Sequence, residues 1–394
     1  MGNSQDFPGS QCIILRYYGE PIFLCGSYRQ IKKNQNNHEN HMPQTQKSRA
    51  FWPDLLRATA SFAVVMIHVH SWSFDKLSSN DQRGFLLIDT LCYWSVPIFV
   101  MLSGALLLNI GQTQSHEAPV TFFKKRWRRM IRPTIVWGII ALIWGSLALG
   151  RGRDETFGRI MTGIPNDPQW FLFMLLGLYA LTPWLRMLLG SPNFQRTSFP
   201  VLISLLYGAN LFALIQQMGG YSSEAIFPIN SLIYLDLYLL GVIVADPNSW
   251  SLRTNRMIYL LGFLSTIIPI SLLVVNPDNF AGFRLLQTSY HSPLVLIKSV
   301  AIFRFMVCNS WEIDESVVGM RRVARNVIRQ LSDWSFGIYV IHPFVLSLLF
   351  KFVLRPVDGP FLPYCMAIWI LTMLITCIGC KVLRWRSITA WLIP

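Results

Sequence analysis

Charge is scarce in this chain. Charged residues make up 14% of 394, whereas a water-soluble globular domain carries about 25%. A body of this size with so little charge cannot face water on every side, which excludes an ordinary soluble enzyme. Acidic residues are the scarcer sign, 20 Asp and Glu against 34 Lys and Arg, for a net charge of +14. The cations sit between apolar runs rather than along a polar face, so they are read as setting membrane orientation and not as a nucleic-acid surface. The seven cysteines form no disulfide framework. Cys92, Cys308, Cys365, Cys377 and Cys380 lie inside apolar runs, and the Cys377/Cys380 pair has neither a nearby His nor a second pair, so packing is expected and no metal. There is no internal repeat of the kind that secondary transporters carry, and no signal-peptide pattern at the start.

What is present is hydrophobic length. Apolar residues reach 52% and mean hydropathy is +0.39. Runs of about 20 apolar residues match a bilayer-crossing helix, and only helices satisfy their own backbone in lipid at this length. An all-α, polytopic transmembrane bundle is therefore expected, with about ten spans at 55–73, 86–109, 131–150, 169–189, 199–218, 226–245, 257–275, 291–308, 334–353 and 361–383. Residues 1–50 stand apart. The stretch Lys32–Arg49 is Asn, Gln, His and Lys and reads as disordered, and 12–25 is too short and broken for a span. A disordered or mis-called extension is expected over 1–50, with Met42 a sensible start, and a membrane domain over 51–394. The even connections and the C-terminal end carry most Lys and Arg, including Lys124, Lys125, Arg126, Arg128, Arg129, Arg186, Arg253, Arg256, Arg325, Arg329 and Lys381. The odd ones carry few, among them Lys76, Arg83, Arg284 and Arg355, so both termini are expected in the cytoplasm.

The first span, "PDLLRATASFAVVMIHVHSW", carries most of the chemistry. Ionisable side chains inside a span are costly and mark function by default. Asp54, Arg57, Ser61 and His68 share one helical face, and Arg57 and His68 stand about 16 Å apart along the axis. His68 is the natural proton acceptor; a helix-bridging hydrogen bond is the alternative, as an interfacial ion pair with Arg57 is for Asp54. His70 points elsewhere and is left out. A second face, in "LSDWSFGIYVIHPF", aligns Ser335, Tyr339 and His342, either as helix bridges or as substrate contacts. The run "FFKKRWRRMIRP" is either a topology signal or a phosphate site.

These segments, with "SVPIFVMLSGALLL", "QWFLFMLLGLYALTP" and "YLLGVIVA", come in an order that resembles the bacterial family-3 acyltransferases, integral-membrane enzymes that O-acylate surface carbohydrates. The resemblance covers 54 to the C-terminus. Its most specific element is the Arg57/His68 pair. It implies a bacterial inner-membrane enzyme using acyl-CoA, usually acetyl-CoA, as donor and a carbohydrate acceptor, with no metal or prosthetic group. On that basis His68, Arg57 and Asp54 are the expected catalytic set, and Arg126, Arg128, Arg129 and Arg132 are expected to hold the donor's phosphates. Ser61, Trp170, Ser335, Tyr339 and His342 are expected at the substrate. Many relatives have His beside the Trp where Gln169 stands before Trp170, so no step is assigned to that position. A transporter or flippase for a lipid-linked sugar or small solute is the alternative.

Overall fold

The computed structural model describes residues 13–17, 20–24, 50–74, 82–108, 118–162, 167–219, 229–275, 285–309, 319–353 and 361–394. Two compact units divide the chain, Met1–Arg49 and Ala50–Pro394. In the first, β1 (Ile13–Tyr17) pairs antiparallel with β2 (Glu20–Leu24), with Ile13 opposite Leu24 and Tyr17 opposite Glu20. This hairpin was not anticipated from the sequence. The stretch expected to be disordered, 32–49, lies outside the described residues, as do Lys76, Arg284 and Arg355 of the orientation argument.

All the regular secondary structure among the described residues of the second unit is helical. Its helices are α1 (Trp52–Phe74), α2 (Gln82–Cys92), α3 (Ser95–Leu108), α4 (Pro119–Arg126), α5 (Arg132–Ala148), α6 (Arg153–Thr162), α7 (Trp170–Leu189), α8 (Phe199–Met218), α9 (Ile229–Ile233), α10 (Leu235–Ala245), α11 (Leu252–Val275), α12 (Pro293–Cys308), α13 (Met320–Leu348), α14 (Phe361–Trp385) and α15 (Ser387–Ala390). Eight helical stretches among the described residues are long and apolar enough to cross a membrane, and a shorter apolar one covers Ser231–Ala245. With α1, at 23 residues, these coincide in order with the expected spans. Leu147, Leu205, Phe212, Phe263 and Leu374 each leave more than half of their surface uncovered. Apolar side chains exposed along spanning helices belong against lipid. The chain is a multi-pass membrane protein.

Several boundaries differ from expectation for identifiable reasons. The third span begins at Pro119 rather than 131, because the cationic run is helical: α4 continues through a π-turn at Trp127–Ile131 into α5. The wide turn immediately precedes Pro133, which has no N–H for the Arg129 carbonyl. The ninth begins at Met320 rather than 334, since nothing breaks the helix after Gly319, whose φ of +97° suits only glycine well. The second is broken at Tyr93–Trp94, just ahead of Pro97, and the sixth is broken at Tyr234.

α1 lies at the centre, packed on α2, α3, α12, α13 and α14. The tightest crossing joins α3 to α10: a Cβ on Gly104 would sit 1.7 Å from the Tyr238 carbonyl oxygen, and one on Gly241 would sit 1.9 Å from that of Met101. Two facing glycines let the backbones touch, the usual way membrane helices gain packing without a hydrophobic driving force. Arg304 on α12 is fully buried and holds the end of α10. Its guanidinium donates to the Val244 carbonyl at 3.1 Å, to those of Asp246 and Pro247, and to the Asn255 side chain at 3.0 Å. Those carbonyls have no intrahelical donor, so the charge is matched by the group that most needs it.

Candidate active site

The site is built where α1 meets α13. His68 of α1 and His342 of α13 stack, with ring centroids 5.2 Å apart and planes at 27°. The two imidazoles, 274 positions apart in sequence, are thus brought together although neither spacing rule predicted it. The His342 Nδ1 lies 2.9 Å from the Ile338 carbonyl, which makes Nδ1 the donor and leaves Nε2 with the lone pair. That Nε2 is buried and has no hydrogen-bond partner among the described residues. Pro343 shapes this turn, because it frees the Tyr339 carbonyl, which also engages the His342 ring. Tyr339 stands edge-on to His342 at 5.8 Å, packs on Phe171, and donates its hydroxyl to the Pro168 carbonyl. The short 3-10 turn Asp167–Gln169 and the start of α7 are thereby tied to the histidine pair.

Towards the start of α1 the polar track continues. Asp54 is fully buried, accepts a 2.7 Å hydrogen bond from the Ser332 hydroxyl on α13, and lies 3.6 Å from the Arg57 guanidinium. Ser61 spends its hydroxyl on the Arg57 carbonyl at 2.8 Å, within its own helix. Arg57 and Arg126 both lie within electrostatic reach of Tyr179 on α7, and Ser103 hydrogen-bonds to that tyrosine. Arg126 and Arg186 sit over the Phe122 ring at 5.0 Å and 4.9 Å, and Arg186 donates to the Leu107 carbonyl at 2.6 Å. Three guanidinium groups from three helices thus converge about Tyr179 and Phe122.

Two chemically distinct ends result, a cationic one at Arg57, Arg126 and Arg186 and an imidazole one at His68 and His342. Of the other expected donor-binding residues, Arg128 and Arg129 are exposed on the π-turn, and Arg132 lies over the Trp391 ring at 3.9 Å. Ser335 is half-buried on α13. Trp170 joins an aromatic group with Tyr234 at 5.4 Å and Tyr290 at 6.0 Å.

A family model described as the acyltransferase domain, of acyltransferase family 3, matches residues 51–384. The chain belongs to this family. It is an acyltransferase of groups other than aminoacyl, and the transporter alternative falls with that membership. Among curated proteins and solved structures nothing matches it.

Sequence reasoning missed several buried polar groups of this acyltransferase. His70, set aside as pointing elsewhere, does point away from His68, but it is fully buried and its Nε2 lies 3.4 Å from Asp89 on α2. His291 pairs with Asp236 at 3.4 Å, and Lys298 of α12 donates to the Thr90 carbonyl. Each pair joins residues far apart in sequence, so only an intramembrane charge with no local partner could have flagged it. Among the described residues no group of three His, Cys, Asp or Glu side chains could hold a metal ion.

Proposed function

We propose that this protein transfers an acetyl group, or another short acyl group, from cytoplasmic acyl-CoA to a hydroxyl of a cell-surface carbohydrate or its lipid-linked precursor. The bacterial inner membrane is the proposed location, with both termini in the cytoplasm. A glycan related to enterobacterial common antigen is the proposed acceptor, a reading supported by a motif order that resembles that of its O-acetyltransferase. The observation that carries the reading is the stacked His68/His342 pair standing along one helix from a cluster of three arginines.

In this reading Arg57, Arg126 and Arg186 bind the donor's phosphates, for which guanidinium forks are suited. Arg128, Arg129 and Arg132 guide the anion from the cytoplasmic surface. Asp54, fixed by Ser332, orients Arg57 rather than reacting itself. The thioester reaches the histidine pair, where His68 takes the proton from the acceptor hydroxyl as its oxygen attacks the thioester carbonyl. The C–S bond then breaks, the ester remains on the sugar, and the proton passes from His68 to the CoA thiolate. Tyr339, its hydroxyl held by the Pro168 carbonyl, and Ser335, one turn earlier on α13, shape the water-poor path to this site, and His342 keeps the His68 ring in register. Ser61 and Trp170 contribute to the shape of the substrate path.

The test is mass spectrometry of surface glycans from cells with and without the gene. The reading expects one acyl mass to disappear from a defined glycan and to return with the wild-type gene. Unchanged glycans, with acyl-CoA binding absent in the purified protein, would refute it.

A further inference from the structure

We infer that a lipid-facing cleft between α2, α11 and α12 holds the chain of a polyprenyl phosphate, the anionic carrier of the acceptor sugar, with its phosphate on Lys298. This rests on the acyltransfer reading above and names the lipid-linked precursor as the acceptor. The cleft has a volume of about 390 Å³, within the range of small-molecule sites. Thr90 and Trp94 line it from the end of α2, Phe263 and Thr266 from α11, and Lys298 and Phe305 from α12. Phe263 and Phe305 leave 61% and 44% of their surface uncovered, so the cleft opens sideways towards lipid.

Apolar walls alone would accept any bilayer lipid; the polar floor is what selects. Lys298 is 5% exposed and Thr90 1%. The ammonium donates to the Thr90 carbonyl, and among the described residues no carboxylate pairs with it. An ammonium has three donors to place. Asp89, next to Thr90 in sequence, faces His70 at 3.4 Å instead. The Thr90 hydroxyl has no hydrogen-bond partner among the described residues. A cation kept in a membrane bundle without a counter-charge is costly, and such residues mark binding sites. A phosphate at the floor supplies that charge and accepts from the Thr90 hydroxyl as well.

The occupant therefore joins an anionic group to an apolar chain. Of the membrane lipids with that make-up, the carrier of the acceptor has a part in the reaction, whereas a bulk phospholipid has none. The floor also lies at the level of the reacting imidazole. Lys298 holds the Thr90 carbonyl, Asp89 faces His70, and His70 is two residues beyond His68 on α1, about 3 Å of helix rise. From Lys298 to Phe305 the α12 wall runs about 10 Å along the helix axis, which seats the first part of a long chain and leaves the rest in the bilayer. The rings of Trp94, Phe263 and Phe305 offer a methyl-branched chain flat apolar surface. A sugar tethered there meets the site at a raised effective concentration.

The experiment uses purified full-length protein in detergent, radiolabelled acetyl-CoA, and detergent-dissolved membranes from cells lacking the gene as the source of unacylated acceptor. The probe is a long-chain polyprenyl phosphate, with phosphatidylglycerol as the control lipid. Polyprenyl phosphate should raise the apparent melting temperature of the wild type and compete with the acceptor membranes, and phosphatidylglycerol at the same concentration should do neither. Lys298→Met removes the ammonium at nearly constant length, and Thr266→Trp fills the cleft without touching a charge. Each should raise the apparent KM for acceptor membranes about tenfold, the scale of one lost charge-assisted hydrogen bond, while the KM for acetyl-CoA stays within about twofold. If Lys298→Met does not fold, Thr266→Trp carries the test. Equal effects of the two lipids, an acceptor KM unchanged in a folded variant, or a rise in the acetyl-CoA KM instead would overturn the assignment. A wild type that binds polyprenyl phosphate through Lys298 but transfers nothing would uphold the cleft and overturn the acyltransfer reading, which separates the two failures.

Discussion

At the scale of single residues, ionisable groups are tolerated inside the bundle where partners face them. Asp54 is buried but not isolated, since Ser332 and Arg57 both face it. A buried carboxylate that lost those partners would be expensive, so the trio is expected to behave as a unit. Packing alone does not require Arg57 and Arg126 beside Tyr179, or Arg126 and Arg186 over the Phe122 ring. Arg126→Ala should therefore raise the acetyl-CoA KM about tenfold or more with little change in kcat, whereas Arg128→Ala, at an exposed position, should change it less than about threefold. Steady-state kinetics with varied acetyl-CoA checks both. Equal effects at the two positions would mean that the cluster acts only through general surface charge.

At the scale of elements, helix crossings fix where these residues meet. α1 and α13 bring His68 to His342, and α3 and α10 form the backbone contact that lets α7 pack nearby. Gly104→Leu would drive a side chain into the Tyr238 carbonyl, whose oxygen would be 1.7 Å from the new Cβ. Overpacking of that severity should cost about 3 kcal/mol or more and show as a lowered apparent melting temperature and loss of monodispersity in detergent. Gly158→Ala, in α6 where a Cβ meets nothing within 4 Å, should leave both unchanged. The helices themselves were legible in the sequence because lipid enforces apolar length, and the one-face alignment of Asp54, Arg57 and His68 followed from helical period alone. The helical character of the cationic run was not legible, since Lys and Arg read equally well as a loop. Nor was the meeting of His68 with His342, or the Asp89 and Asp236 partners of His70 and His291. Sequence period describes one helix at a time and carries no information on which faces meet.

At the scale of the whole molecule, the two ends of the site have opposite electrostatic character. Guanidinium groups gather at one end of the α1 track, and stacked imidazoles and phenols at the other. That separation suits the proposed reaction, in which a polyanionic donor meets a neutral glycan hydroxyl. Every residue assigned to the site lies in the second unit, Ala50–Pro394. The most direct measurement pairs binding with turnover in His68→Ala. Acetyl-CoA should still raise the variant's apparent melting temperature as it does for wild type, by mass action on the folded state, while acetyl transfer to acceptor membranes falls by at least about a hundredfold. Transfer at near wild-type rate in a folded His68→Ala protein would contradict the assignment of that imidazole as the base.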